Sequence, residues 1–89
     1  MMHVPTFPKE STMDGLFRVA LEAVYAETGV PPSQIRGPSR IQRIAHARQR
    51  VCHILRQQGL SYPNIGMLLG IDHTTAIHAC RAVERREAA

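Results

Sequence analysis

Asp72-His73-Thr74-Thr75 sets a carboxylate, an imidazole and two hydroxyls on successive residues. This set is suited to reading the edges of base pairs. Asp accepts from cytosine N4, His donates to purine N7 or O6, and Thr turns its methyl to thymine or its hydroxyl to an acceptor. Nucleophilic catalysis by Cys52 or Cys80 is disfavoured, because a nucleophile needs a base and an orienting carboxylate beside it, and no Asp or Glu lies between Glu27 and Asp72. As a local signal Asp72 is a helix N-cap, a role compatible with base contact. Thr74 and Thr75 are weak helix formers, so two of them in one first turn point to capping or to contacts outside the helix. With the unpaired amides and the positive dipole of a helix start, Thr75 suits a phosphate.

The acid-free interval holds Arg36, Arg40, Arg43, Arg48, Arg50 and Arg56. Ten of the eleven basic residues are Arg, with Lys9 the exception, and the formal net charge is +4. A run of this kind can be merely a solvated face. Planar, always-charged guanidinium groups without neighbouring acids favour a polyanionic partner instead. Stacking modules for RNA and single strands use exposed aromatics. This chain has only Phe7, Phe17, Tyr25 and Tyr62, so duplex DNA is the expected partner.

Eighty-nine residues with 44% hydrophobic content suit a single core. Cys52 and Cys80 sit among apolar neighbours and read as free buried thiols. A metal site from Cys52, His53, His78 and Cys80 is disfavoured, since adjacent helical residues diverge by about 100° and no paired ligand spacing occurs. No membrane span and no leader pattern is present, which predicts a cytoplasmic protein. No catalytic activity, cofactor, metal or small-molecule substrate is expected.

The elements that must position these residues follow from caps and apolar spacing. Residues 1–10, with Pro5 and Pro8, read as an arm, and 11–89 as the folded domain. Ser11-Thr12-Met13-Asp14 resembles a capping box, and Met13, Leu16, Phe17, Ala20 and Val24 give a helix to about Thr28. Gly29 and Pro31-Pro32 stop it, Ser33-Gln34-Ile35 can make one helical turn, and Gly37-Pro38 breaks the chain again. From about Ile44 a basic amphipathic helix follows, with Ile44, Ala47, Val51, Ile54 and Leu55 inward and His46, Gln49, Arg50, His53 and Arg56 on other faces. Gly59 ends it. Ser61 caps a short helix that buries Ile65, Leu68 and Leu69, with Pro63 tolerated in its first turn. Gly70-Ile71 turns into a last helix burying Ala76, Ile77, Cys80 and Val83, with Thr74, His78, Arg81 and Arg85 opposite. A short helix, a tight turn and a helix with a polar start form a helix-turn-helix, whose second helix enters the major groove.

Ser61-Tyr62-Pro63-Asn64-Ile65-Gly66 followed by Gly70-Ile71-Asp72-His73-Thr74-Thr75-Ala76-Ile77-His78-Ala79-Cys80-Arg81 resembles the C-terminal DNA-binding domain of the bacterial replication initiator DnaA. The resemblance continues through Arg48-Gln49 and back through Tyr25 to Gly29, covering about residues 12–87. It implies an all-α, Trp-repressor-like helical domain that binds the nine-base-pair initiator box of replication origins. Asp72, His73 and Thr74 would read the major groove, and Arg40 the adjacent minor groove, where narrow A·T-rich DNA attracts guanidinium groups. Arg43, in the same loop, together with Arg48, Gln49, Arg56, Thr75 and His78, would contact phosphates. The chain departs from the family at Ile71, where a basic residue is usual, in a turn one residue shorter, and at Ala47 in place of a proline.

Full-length initiators carry an ATPase module, whereas this chain has no G-x-x-x-x-G-K-[ST] phosphate loop. The initiating Met and proline-rich start favour a complete small reading frame over a fragment. Two other readings have their own signatures. A module that sequesters or competes with a full-length initiator, or binds other replication proteins, would use Leu16, Phe17 and Tyr25 as an exposed apolar patch. Charge-driven, non-specific binding would show no box preference.

Overall fold

The computed structural model describes residues 12–36 and 39–88. The arm at 1–10, the Ser11 part of the capping box and the Gly37-Pro38 break lie outside the described residues. The described chain is all helical: α1 Met13–Thr28, α2 Pro32–Ile35, α3 Gln42–Gln57, α4 Tyr62–Leu69 and α5 His73–Ala88.

Local signals account for the ends of α1, the start of α2 and the ends of α4. The Thr12 hydroxyl accepts from the Gly15 amide at 3.0 Å and caps α1. Gly29, at φ 76, closes the other end in the left-handed conformation, and its amide donates to the Tyr25 carbonyl at 2.8 Å. The Thr28 hydroxyl donates to Val24 O and accepts from Val30 N, which turns the chain and drops Val30 into the core. Pro32 opens α2, where its missing amide proton costs no hydrogen bond. Ser61 caps α4 by accepting from Asn64 N, with Pro63 in the first turn as expected.

The expected start of the basic helix near Ile44 is corrected to Gln42. Gln42 and Arg43 are good helix formers and extend the helix outward from its first buried residue, so Arg43 belongs to a helix rather than a loop.

The core runs along α3, which packs against α1, α2, α4 and α5. Ile35, Val51, Cys52, Ile54, Leu55, Ile65, Leu69 and Cys80 are sealed from solvent. Because neighbours surround this helix on several sides, its inward arc is wider than one stripe. Arg50 and His53, expected on other faces, are both buried. The Arg50 guanidinium meets Glu27, with Nε 3.3 Å from Oε2 and Nη2 3.4 Å from Oε1. In α5, Ala79 is buried and Ile77 only half-buried, a small rotation from the expected stripe.

Candidate nucleic-acid interface

The corner between α4 and α5 positions the polar helix start. Gly70 adopts φ 70, and both its amide and that of Ile71 donate to the Gly66 carbonyl, the latter at 2.9 Å. A Cβ on Gly66 would lie 2.6 Å from Ile71 O, so a side chain there would push the turn away. Asp72 holds the N-cap position, its carbonyl accepting from Ala76 N at 3.0 Å. Its carboxylate Oδ1 sits 3.0 Å from His73 Nδ1. Asp72, His73, Thr74, Thr75, His78, Arg81 and Arg85 are exposed, while Ala76, Ala79, Cys80 and Val83 anchor the helix inward. Over its sixteen residues α5 is about 24 Å long, enough for one end to project into a groove while the rest packs on α3 and α4.

An open cleft of about 640 Å³ lies between the start of α3 and the flank of α5. It gathers Arg40, Arg48, Gln49, Thr75 and His78 from two stretches remote in sequence, 39–49 and 71–85, and Arg85 lines it too. No Asp or Glu is among the described residues that line it. The charged side chains that line it are all basic.

Arg48 is fastened to the fold. Its Nε donates to Ile35 O at 2.7 Å and its Nη1 to Ser39 O at 3.1 Å, so one guanidinium ties α2 to the segment carrying Arg40. Its Nη2 is buried without a hydrogen-bond partner among the described residues. Gln49 is oriented by Arg86, whose Nη1 donates to Oε1 at 2.8 Å. Arg86 and Arg85 were not singled out as site residues from the sequence, although the seven-residue spacing of His78 and Arg85 places both on one helix face.

The remaining sequence-selected residues stand outside the cleft. Asp72, His73 and Thr74 project at the start of α5, and Arg43 is exposed on the first turn of α3. Arg56 lies at the far end of α3, its Nη1 donating to Leu60 O at 3.0 Å and its guanidinium 4.3 Å from the Tyr62 ring centroid. Of the apolar patch considered on α1, Phe17 is buried, Leu16 packs against the core, and only Tyr25 is exposed.

Both cysteines are free and buried. Burial, reinforced by the neighbouring Cys80, pushes the Cys52 thiol up to about 12. Burial, reinforced by Glu84, raises Cys80 to about 11. Neither is a thiolate at neutral pH, so neither is poised as a nucleophile. Among the described residues no three His, Cys, Asp or Glu side chains gather as metal ligands, and no helix is long and apolar enough to cross a membrane.

A short helix, a glycine corner and a second helix with a solvent-facing polar start define a helix-turn-helix of the DNA-binding class. The chain belongs to the C-terminal domain family of DnaA, whose model, described as the bacterial dnaA protein helix-turn-helix, matches residues 19–83. It is similar to the chromosomal replication initiator protein DnaA of Kosmotoga olearia, 37% identical over 65 residues that cover 72% of this chain and 14% of that protein. The DnaA of Mycobacteroides abscessus is 37% identical over 75 residues, covering 78% and 15%. That of Picosynechococcus sp. is 41% identical over 69 residues, covering 75% and 14%. The chain thus spans about one seventh of the length of these curated relatives. No solved structure gives a significant match.

Proposed function

We propose that this domain binds double-stranded DNA in a sequence-specific manner at initiator-box sequences of the replication-origin type, acting in replication initiation or its regulation. The observation that carries the reading is the cleft itself. Arg40, Arg48, Gln49, Thr75 and His78, drawn from separate segments, share one acid-free surface beside the exposed start of α5. Asp72, His73 and Thr74 read base edges in the major groove, and Arg40 enters the adjacent minor groove. Thr75, His78, Gln49, Arg43, Arg48 and Arg56 hold the phosphate backbone, a sequence-independent contribution that fixes register. In this reading the domain is a binding module and not a catalyst, it needs no cofactor, and it works in the cytoplasm.

Fluorescence anisotropy with two duplexes, one carrying an initiator-type box and one scrambled, at two salt concentrations tests the reading. Tighter binding to the boxed duplex, with affinity falling as salt rises, is expected. Equal affinity for both would remove the sequence-specific claim. Binding to neither would favour a module that acts on a full-length initiator.

A further inference from the structure

The cleft extends past the residues that the family model matches. The family match ends at Val83, yet Arg85 lines the cleft with Arg40, Arg48, Gln49, Thr75 and His78, and Arg86 reaches back across 37 positions to Gln49. Basic residues in the last turn of a helix are ordinarily explained by the negative end of its dipole. That explanation accounts neither for a side chain lining a basic cleft nor for a specific cross-helix hydrogen bond.

The amide of Gln49 has one oxygen and one NH2 group. With Arg86 Nη1 held on Oε1 at 2.8 Å, the oxygen is occupied by a cation and the NH2 is the group left to donate. A phosphate oxygen needs donors, and an unrestrained amide offers its oxygen as readily as its nitrogen. Arg86 therefore selects the orientation of Gln49 that suits an anion. Arg85, about one turn beyond Arg81 on the exposed face, adds a guanidinium to the same wall.

We propose that the last turns of α5 lengthen the phosphate-binding track, Arg85 contacting a backbone phosphate directly and Arg86 acting as the positioning residue for Gln49. This rests on the duplex-DNA reading above and adds to it contacts beyond residues 19–83, which the family model matches. The ligand chemistry is the DNA backbone, so the contribution is independent of sequence and sensitive to salt.

The test uses the full chain with the same boxed and scrambled duplexes, titrated over a salt series. Arg85→Gln keeps the stem and its good helix propensity. It is expected to weaken binding to both duplexes alike and to lower the magnitude of the log–log salt slope by about one, with an unchanged melting temperature. Arg86→Ala is expected to weaken binding several-fold in the native Gln49 background and to have no further effect when combined with Gln49→Ala. Arg86→Lys, which keeps a donor within reach, should restore much of the loss. Box-dependent binding by the unaltered chain together with an unchanged slope in Arg85→Gln overturns the Arg85 contact while leaving the DNA reading intact. Additive losses for Arg86→Ala and Gln49→Ala overturn the positioning role. Failure of the unaltered chain to bind either duplex overturns the DNA reading, and this proposal with it.

Discussion

Asp72 Oδ1 and His73 Nδ1 lie 3.0 Å apart at the start of α5. With Nδ1–H donating to the carboxylate, a neutral imidazole presents Nε2 as an acceptor, and it donates from Nε2 only when protonated. The expectation that His73 donates to purine N7 or O6 is therefore restricted to the charged ring. A neutral ring selects a donor such as adenine N6 or cytosine N4.

His73→Ala is expected to narrow the gap between boxed and scrambled duplexes by about 1–3 kcal/mol, with little change in the salt slope. Anisotropy titrations at fixed salt measure the gap. An undiminished preference for the box would remove His73 from the base-reading set.

Gly66→Ala tests the corner. The new Cβ would meet Ile71 O at 2.6 Å, with His73 N and Asp72 C at 3.3 and 3.4 Å, and these are backbone atoms that cannot rotate aside. A loss of about 1–3 kcal/mol, in the range for overpacking, is expected in urea unfolding. Box discrimination should fall as well, because the displaced atoms carry the start of α5. A variant as stable as the parent would show that the corner has room to relax.

The phosphate roles proposed for Arg48 and Arg56 can be tested separately. Arg48→Lys can satisfy only part of the pair of carbonyls on Ile35 and Ser39, so it should loosen the Arg40 segment and weaken binding to both duplexes. Amide hydrogen exchange around Ser39–Ile41, faster in the variant, checks the cause. Arg56→Ala loses the Leu60 carbonyl and the Tyr62 face. It is expected to cost about 1 kcal/mol of stability and about one unit of salt slope.

The buried thiols give a pH signature. Cys52 and Cys80 hold their protons up to about 12 and about 11, against 9.0 for an ordinary thiol. Above pH 9 the unfolded chain releases these protons while the folded chain retains them. The stabilisation is therefore intact below pH 9 and is lost as pH rises toward 11–12. Melting temperatures of the parent and of a Cys52→Ala/Cys80→Ala variant should diverge least at the highest pH. At pH 7 a thiol reagent should label the parent only at the rate of opening.

Much of the fold was legible because its boundaries are chemically loud. Thr12, Gly29, Pro32, Ser61 and Gly70 each act within a few residues of their own position, which is the range a linear reading can see. Asp72–Thr75 stood out for the same reason. What was not legible depends on neighbours remote in sequence. Arg50 looked like one more exposed guanidinium in an acid-free run, and its inward turn depends on Glu27, 23 positions away. Periodicity placed His53 off the apolar stripe, but a helix packed on several sides has no single stripe. The anchoring of Arg48 on the Ile35 and Ser39 carbonyls, 13 and 9 positions away, left no sign in its own segment. The link from Arg86 to Gln49 spans 37 positions and leaves no mark on either segment alone.

The glycine corner also bears on how fast the domain finds and leaves its partner. With Gly66 O accepting from both Gly70 and Ile71, and no space beside Gly66 for even a methyl group, α4 and α5 behave as a fixed bracket. On the proposed DNA reading, little conformational freedom would remain to be lost on docking, and encounter would be governed by charge steering rather than by rearrangement. Variants of the base-reading residues should accordingly differ in residence time, while those of the basic cleft should differ in arrival rate.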